Sequence, residues 1–203
     1  MRLGSLANEI GEKIMAVEAW LHRHRKHLLR VIRASLVHPD PQEGESLAIT
    51  GYSQLDSYSC GAVAGWTILK ALQPKAAFKD FYLRCSPSPV NGLPDAPLIK
   101  ALRASGVGVS TKRSGMTFEQ IKKAIGDGFP VLTIVDRPGT ETAHWVVIYG
   151  CAQRRPGRQH LVYVANNNFL GIQTPRHFGS NPLTYAEYKT LSKGFQAYVC
   201  WGK

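Results

Sequence analysis

Leu6, Ile10, Ile14, Val17, Leu21, His24, Leu28 and Ile32 recur at steps of three and four. That spacing predicts one amphipathic helix over residues 5 to about 36, with an apolar stripe along one face. "HPDPQEGES" (38–46) then gathers proline, glycine and charge and reads as a linker. Beyond it the pattern changes period several times. Cys60 to Leu72 is almost wholly apolar and reads as a helix, followed by a short one in "FKDFYLRC" (78–85). "SPSPVNGLPDAP" (86–97) is a proline-rich loop. "PLIKALRASG" (97–106) places Leu98, Ile99 and Leu102 at helical spacing and stops at Gly106. "VGVSTKRS" can pair as an edge strand. "TFEQIKKAIGDG" (117–128) is a helix with Thr117 as N-cap and Phe118, Ile121 and Ile125 on its buried face. "FPVLTIVD", "AHWVVIYGC" and "HLVYVAN" follow as strands separated by turn residues. A helix in "LTYAEYKTLSK" and a strand in "FQAYVCW" close the chain. Helices first and antiparallel strands later predict an α+β class. The expected organisation is a basic helical extension with linker over 1–45 and a single domain over 46–203.

Composition narrows this picture. At 203 residues, 44% of them hydrophobic, the chain suits one domain with a proper core. The formal charge of +11 favours acidic partners without specifying which kind. The four cysteines, Cys60, Cys85, Cys151 and Cys200, lie far apart, so neither a zinc ribbon, a C-x-x-C redox site nor a disulfide scaffold is expected. Glu9, Glu12 and Glu18 interrupt any signal-peptide pattern, and the longest apolar runs are too short to span a bilayer. A reduced, cytoplasmic location is the expectation.

Against this background Cys60 stands out. A cysteine opening a helix meets unsatisfied N–H groups and the positive end of the helix dipole, and both favour the thiolate. Paired with an imidazolium, such a thiolate is a strong nucleophile near neutral pH. An attacked carbonyl then needs donors for its oxyanion, which the Cys60 N–H and the Gln54 side-chain amide, six positions upstream, can supply. Gly61 leaves room for a substrate beside the nucleophile. Among the seven histidines, His144 begins the run "HWVVIYG" at the mouth of a strand. The next strand ends in "NNN", where a side-chain amide can orient the imidazole. Asn166, Asn167 and Asn168 are the candidates.

In this order the sequence resembles a known family. "QLDSYSCGAVA", "GFPVLTIVD" and "HWVVIYG" look like the papain-like fold in the branch of the bacteriocin-leader (double-glycine) cysteine peptidases. The tail, "LTYAEYKTL" and "FQAYVCWG", is similar to the closing helix and strand of that branch. The resemblance covers roughly residues 48 to 203 and leaves the first 45 outside. No transporter segment follows, so a stand-alone member is expected. The resemblance implies Gln54 as the oxyanion-hole glutamine, Cys60 as nucleophile, His144 as general base and Asn166 as the orienting residue. The family usually carries an acid at that last position, and the asparagine removes a negative charge near His144. It implies hydrolysis of a peptide or isopeptide bond through a thioester, on a protein or peptide substrate, with no metal or organic cofactor.

Two rivals remain at the level of sequence. Papain-like folds also host acyltransferases and deamidases, which use the same thioester. A non-enzymatic module gripping nucleic acid or an acidic partner would use the basic surface instead, although no aromatic-and-basic motif of a nucleic-acid reader is present. Each residue has a plainer reading too: Cys60 as a buried helix cysteine, His144 as a packing partner of Trp145, Gln54 as a loop residue, Asn166 as a turn former. Cys85, Cys151 and Cys200 read as structural. "HRHRKH" (22–27) reads as a solvated basic face, because His22, His24 and His27 do not share one helix face for a metal. The N-terminal helix is expected to bury its stripe against the domain or a partner protein, its basic half aiding attraction.

Overall fold

A computed structural model describes residues 32–34, 42–54, 58–136, 143–154, 159–166 and 182–203. The remainder of the expected N-terminal helix and linker, and the basic run at 22–31, lie outside the described residues. The described part from Ile32 to Lys203 belongs to one unit.

Three short strands come first. They are β1 (Ile32–Ala34), β2 (Gly44–Ser46) and β3 (Gly51–Ser53). β1 pairs antiparallel with β3, so Ile32 belongs to a two-stranded ladder and not to the last turn of a helix. The sequence period could not report this, because a strand's partner is distant in the chain.

α1 (Cys60–Leu72) is buried from Cys60 through Leu69, as its nearly unbroken apolar composition requires. Gln73 caps it, its N–H donating to the Leu69 carbonyl (2.7 Å), and Pro74 prevents continuation. α2 (Phe78–Cys85) and α3 (Asp95–Ala104) pack beside α1. Ile68 and Leu98 are wholly enclosed in this helical layer. Burial of each such side chain contributes on the order of 2 kcal/mol relative to exposure. β4 (Val107–Val109) and β5 (Arg113–Ser114) follow. α4 (Phe118–Gly126) begins with a capping box: Thr117 Oγ1 accepts from the Gln120 N–H (3.2 Å), and Gln120 Oε1 accepts from the Thr117 N–H (2.9 Å). Next come β6 (Val131–Asp136), β7 (Ala143–Arg154), β8 (Gln159–Asn166) and β9 (Leu183–Thr184). α5 (Tyr185–Leu191), with its own capping box from Thr184 and Glu187, precedes β10 (Gln196–Gly202).

The main sheet has eight strands, ordered β4-β10-β6-β7-β8-β9, with β5 also paired to β10 and β2 to β7. Every pairing is antiparallel. One face packs on Phe118, Ile121, Ala124 and Ile125 of α4 and Tyr188 of α5. α1 packs against β7 and β6. The class is α+β, as expected, although three short strands precede the first helix instead of helices coming first. β2 was the least expected strand, since "GES" lies in the linker-like stretch. It continues the position of β6 along β7, pairing Gly44 with Ala152 and Ser46 with Gly150. A Cβ at Gly44 would sit 2.2 Å from the Cys151 carbonyl oxygen, so only glycine admits this approach.

Candidate active site

Cys60 is the first residue of α1, as the apolar pattern predicts. The first turn of that helix contains no acidic residue, so no carboxylate there opposes a negative charge at the cysteine. The Cys60 side chain is buried, with the residue 8% exposed. His144 is the second residue of β7 and is 1% exposed. Asn166 is the last residue of β8. Gln54 follows β3 directly and is buried.

Three contacts relate these positions. A Cβ at Gly61 would lie 2.9 Å from Trp145 Cδ1 and 3.1 Å from Leu93 Cβ and Cδ2. The Trp145 indole N–H donates to the Leu93 carbonyl at 2.9 Å. The opening of α1, the end of the 86–94 loop and the start of β7 therefore meet at one indole ring. Cys60 is one residue from this junction on the helix, and His144 is one residue from it on the strand. The room that the sequence suggests beside Gly61 for a substrate is taken up by Trp145 and Leu93. Gly61 serves close packing of helix on strand.

The ladder relates His144 to Asn166. Val146 pairs with Asn166, and residues two apart along a strand share a face. His144 and Asn166 thus hold diagonal register positions on the two paired strands. Asn167 and Asn168 lie outside the described residues. β3 packs against both α1 and β8, which brings the segment ending in Gln54 to the same region. Sequence order alone could not have revealed Trp145 and Leu93 as the junction, since 52 residues separate the partners of that hydrogen bond.

The other three cysteines differ electrostatically from a reactive site. Burial pushes the Cys85 thiol up to about 12, Cys200 to about 12 and Cys151 to about 11, all from an ordinary value of 9.0. These thiols stay protonated at neutral pH, in line with a structural role. None of the four cysteines is joined in a disulfide. Among the described residues no group of three His, Cys, Asp or Glu side chains is placed to hold a metal ion. No helix among them is long and apolar enough to cross a membrane.

No protein-family model matches this chain, and no curated protein matches it by sequence. Solved structures do match. A double glycine motif protease from an AMS/PCAT transporter, solved with its leader peptide, aligns with TM-score 0.53 and 16% identity. That alignment covers 81% of this chain and 98% of the other. The peptidase domain of Streptococcus ComA, a bi-functional ABC transporter of a quorum-sensing pathway, aligns with TM-score 0.51 and 10% identity, over 77% and 98%. UfSP from C. elegans aligns with TM-score 0.52 and 10% identity, over 85% of this chain and 37% of that one. An antiparallel sheet, a buried helix opened by a cysteine and these matches together give the chain the papain-like α+β fold of the double-glycine peptidase domains.

Proposed function

We propose that the protein is a cysteine peptidase that cleaves a peptide or isopeptide bond in a specific protein or peptide substrate. The observation that carries this reading is the junction at Trp145, which seats the helix opened by Cys60 against the strand that begins beside His144. In this reading the Cys60 thiolate attacks the scissile carbonyl. The oxyanion is held by the Cys60 N–H and the Gln54 amide. His144 receives the thiol proton and passes it to the leaving amine, leaving a thioester that water then hydrolyses. Asn166 fixes the ring orientation without adding charge. No step calls for a metal or organic cofactor. Four buried cysteines with no disulfide among them fit a reducing compartment, and the cytoplasm is the location proposed. A leader peptide occupies the transporter protease to which the fold is similar, which supports a peptide substrate here. The expected N-terminal extension, taken to end where β1 begins at Ile32, is proposed to serve docking on a partner protein.

The test is timed alkylation with iodoacetamide near neutral pH, read by peptide mass. Cys60 should be modified at least tenfold faster than Cys85, Cys151 or Cys200. His144→Ala should remove that advantage and nearly all cleavage of double-glycine peptides, and Asn166→Ala should cost less. Uniform alkylation of all four cysteines in the folded protein would defeat the proposal. A product joined to an added amine, in place of a hydrolysed one, would shift the assignment to acyl transfer.

A further inference from the structure

A cavity of about 630 Å³ lies between α3 and the segment Ser110–Lys112, with Tyr198 of β10 at its base. Its floor is apolar: Ile99 and Tyr198 are both buried. Its rim is cationic. Lys100 and Arg103 project from α3, and Lys112 faces them from the strand side. The one carboxylate in the lining, Asp95, is already engaged. Its Oδ2 accepts from the Tyr198 hydroxyl (3.0 Å) and its Oδ1 from the Ala96 N–H (2.9 Å). Arg103 donates to the Val109 carbonyl (3.2 Å). With its amide turned to satisfy both neighbours, Gln196 donates to Asp95 Oδ2 (3.2 Å) and accepts from Lys112 Nζ (2.7 Å). Among the described residues no carboxylate forms an ion pair with Lys100, Arg103 or Lys112. Neutral acceptors orient two of the three cations, and three cations set against the single Asp95 carboxylate leave the lining net positive.

The groove floor also lies near the candidate site. The Tyr198 ring lies 6.5 Å from the Trp145 ring. Asp95, at the same end, follows by two residues the Leu93 carbonyl that holds the Trp145 indole. The floor of the groove and the residue beside His144 are therefore neighbours through the core. We propose that this groove is a substrate subsite for an acidic, partly apolar peptide segment, whose carboxylates meet Lys100, Arg103 and Lys112 while an apolar side chain rests on Ile99 and Tyr198. The assignment as a substrate subsite rests on the peptidase reading, whereas the binding itself does not. Nucleic acid fits less well. Its bases need an open aromatic platform, and the one aromatic ring of the lining is buried with its hydroxyl bonded.

The experiment is fluorescence anisotropy on the full chain carrying Cys60→Ala, so that no turnover intrudes. The probes are fluorescein-labelled peptides of sequence EELEELEE and QQLQQLQQ. The glutamate peptide should bind at least tenfold more tightly, with an affinity that falls as salt rises. Lys100→Glu combined with Arg103→Gln should abolish that preference while the melting curve stays superimposable. Lys75→Glu with Lys79→Glu, exposed cations outside the groove, should retain it. Equal losses in the two double variants would overturn the site, as would equal binding of the two peptides. A labelled oligonucleotide that binds more tightly than EELEELEE, and is lost with the groove cations, would overturn the ligand class. Alkylation of Cys60 in the unsubstituted chain reports on the peptidase reading separately, so either conclusion can fall without the other.

Discussion

Replacing Gly61 with alanine sets two effects of known size against each other. In a helix, alanine is favoured over glycine by up to about 1 kcal/mol. At Gly61 the added methyl would lie 2.9 Å from Trp145 Cδ1 and 3.1 Å from two atoms of Leu93, closer than packed carbons tolerate. Neither neighbour yields freely. Both are buried, and moving the indole would strain its 2.9 Å bond to the Leu93 carbonyl. Overpacking of this kind costs about 1–3 kcal/mol, and a weakened hydrogen bond adds about 1 kcal/mol. The net expectation for Gly61→Ala is a loss of about 1–3 kcal/mol in a urea titration. Because the strain is relieved by parting α1 from β7, Cys60 should also alkylate several-fold more slowly. Gly126→Ala is the control. There the new methyl meets only the end of the exposed Glu45 side chain, 3.0 Å away, and a gain of up to about 1 kcal/mol is expected. If Gly61→Ala is as stable as the parent and Cys60 reacts at an unchanged rate, the helix is not seated on Trp145 as described.

Alkaline conditions test the buried thiols. The unfolded chain releases these protons near pH 9, whereas burial holds Cys85 and Cys200 to about 12 and Cys151 to about 11. Their stabilising contribution is complete below pH 9 and declines as pH rises toward the folded values, by about 1.4 kcal/mol per pH unit per thiol. Urea midpoints measured in reductant from pH 8 to 10.5 should fall, and Cys200→Ala should flatten the decline; midpoints independent of pH would contradict it. Thr117→Ala removes one half of the α4 capping box and should cost about 1 kcal/mol, measured in the same titration at neutral pH.

The legible parts of this fold are those specified by neighbours in sequence. The start of α1 at Cys60, the cap at Thr117 and the strands through Val131, His144 and Leu161 follow from local period and turn chemistry. The parts that escape are those defined by a partner far along the chain. "GES" becomes a strand because Gly44 fits over Ala152, more than 100 residues away, and nothing in the composition of residues 38–46 encodes that. Ile32 has helical spacing to its predecessors, yet it pairs with Ser53. At the candidate site, sequence order brought Gln54, Cys60, His144 and Asn166 to notice. It could not show that an indole fills the space beside Gly61, nor that Lys112 and Lys100 face one another across a groove.

The place of β10 bears on how the chain is made. This strand lies between β4 and β6, bonded to both, although every other strand precedes it in the sequence. On the ribosome, β6, β7 and β8 can assemble while β6 still presents an open edge, and β4 has no neighbour in the main sheet until residues 196–202 emerge. The nascent protein is therefore a split sheet awaiting the strand that joins β4 to β6, with the exposed edges that invite association between chains. A chain ended early by frameshift or proteolysis near Lys193 would lose the strand that joins β4 and β5 to the rest of its main sheet. Quality control should then treat such fragments as misfolded, even though most of the residues that make up the candidate site are present.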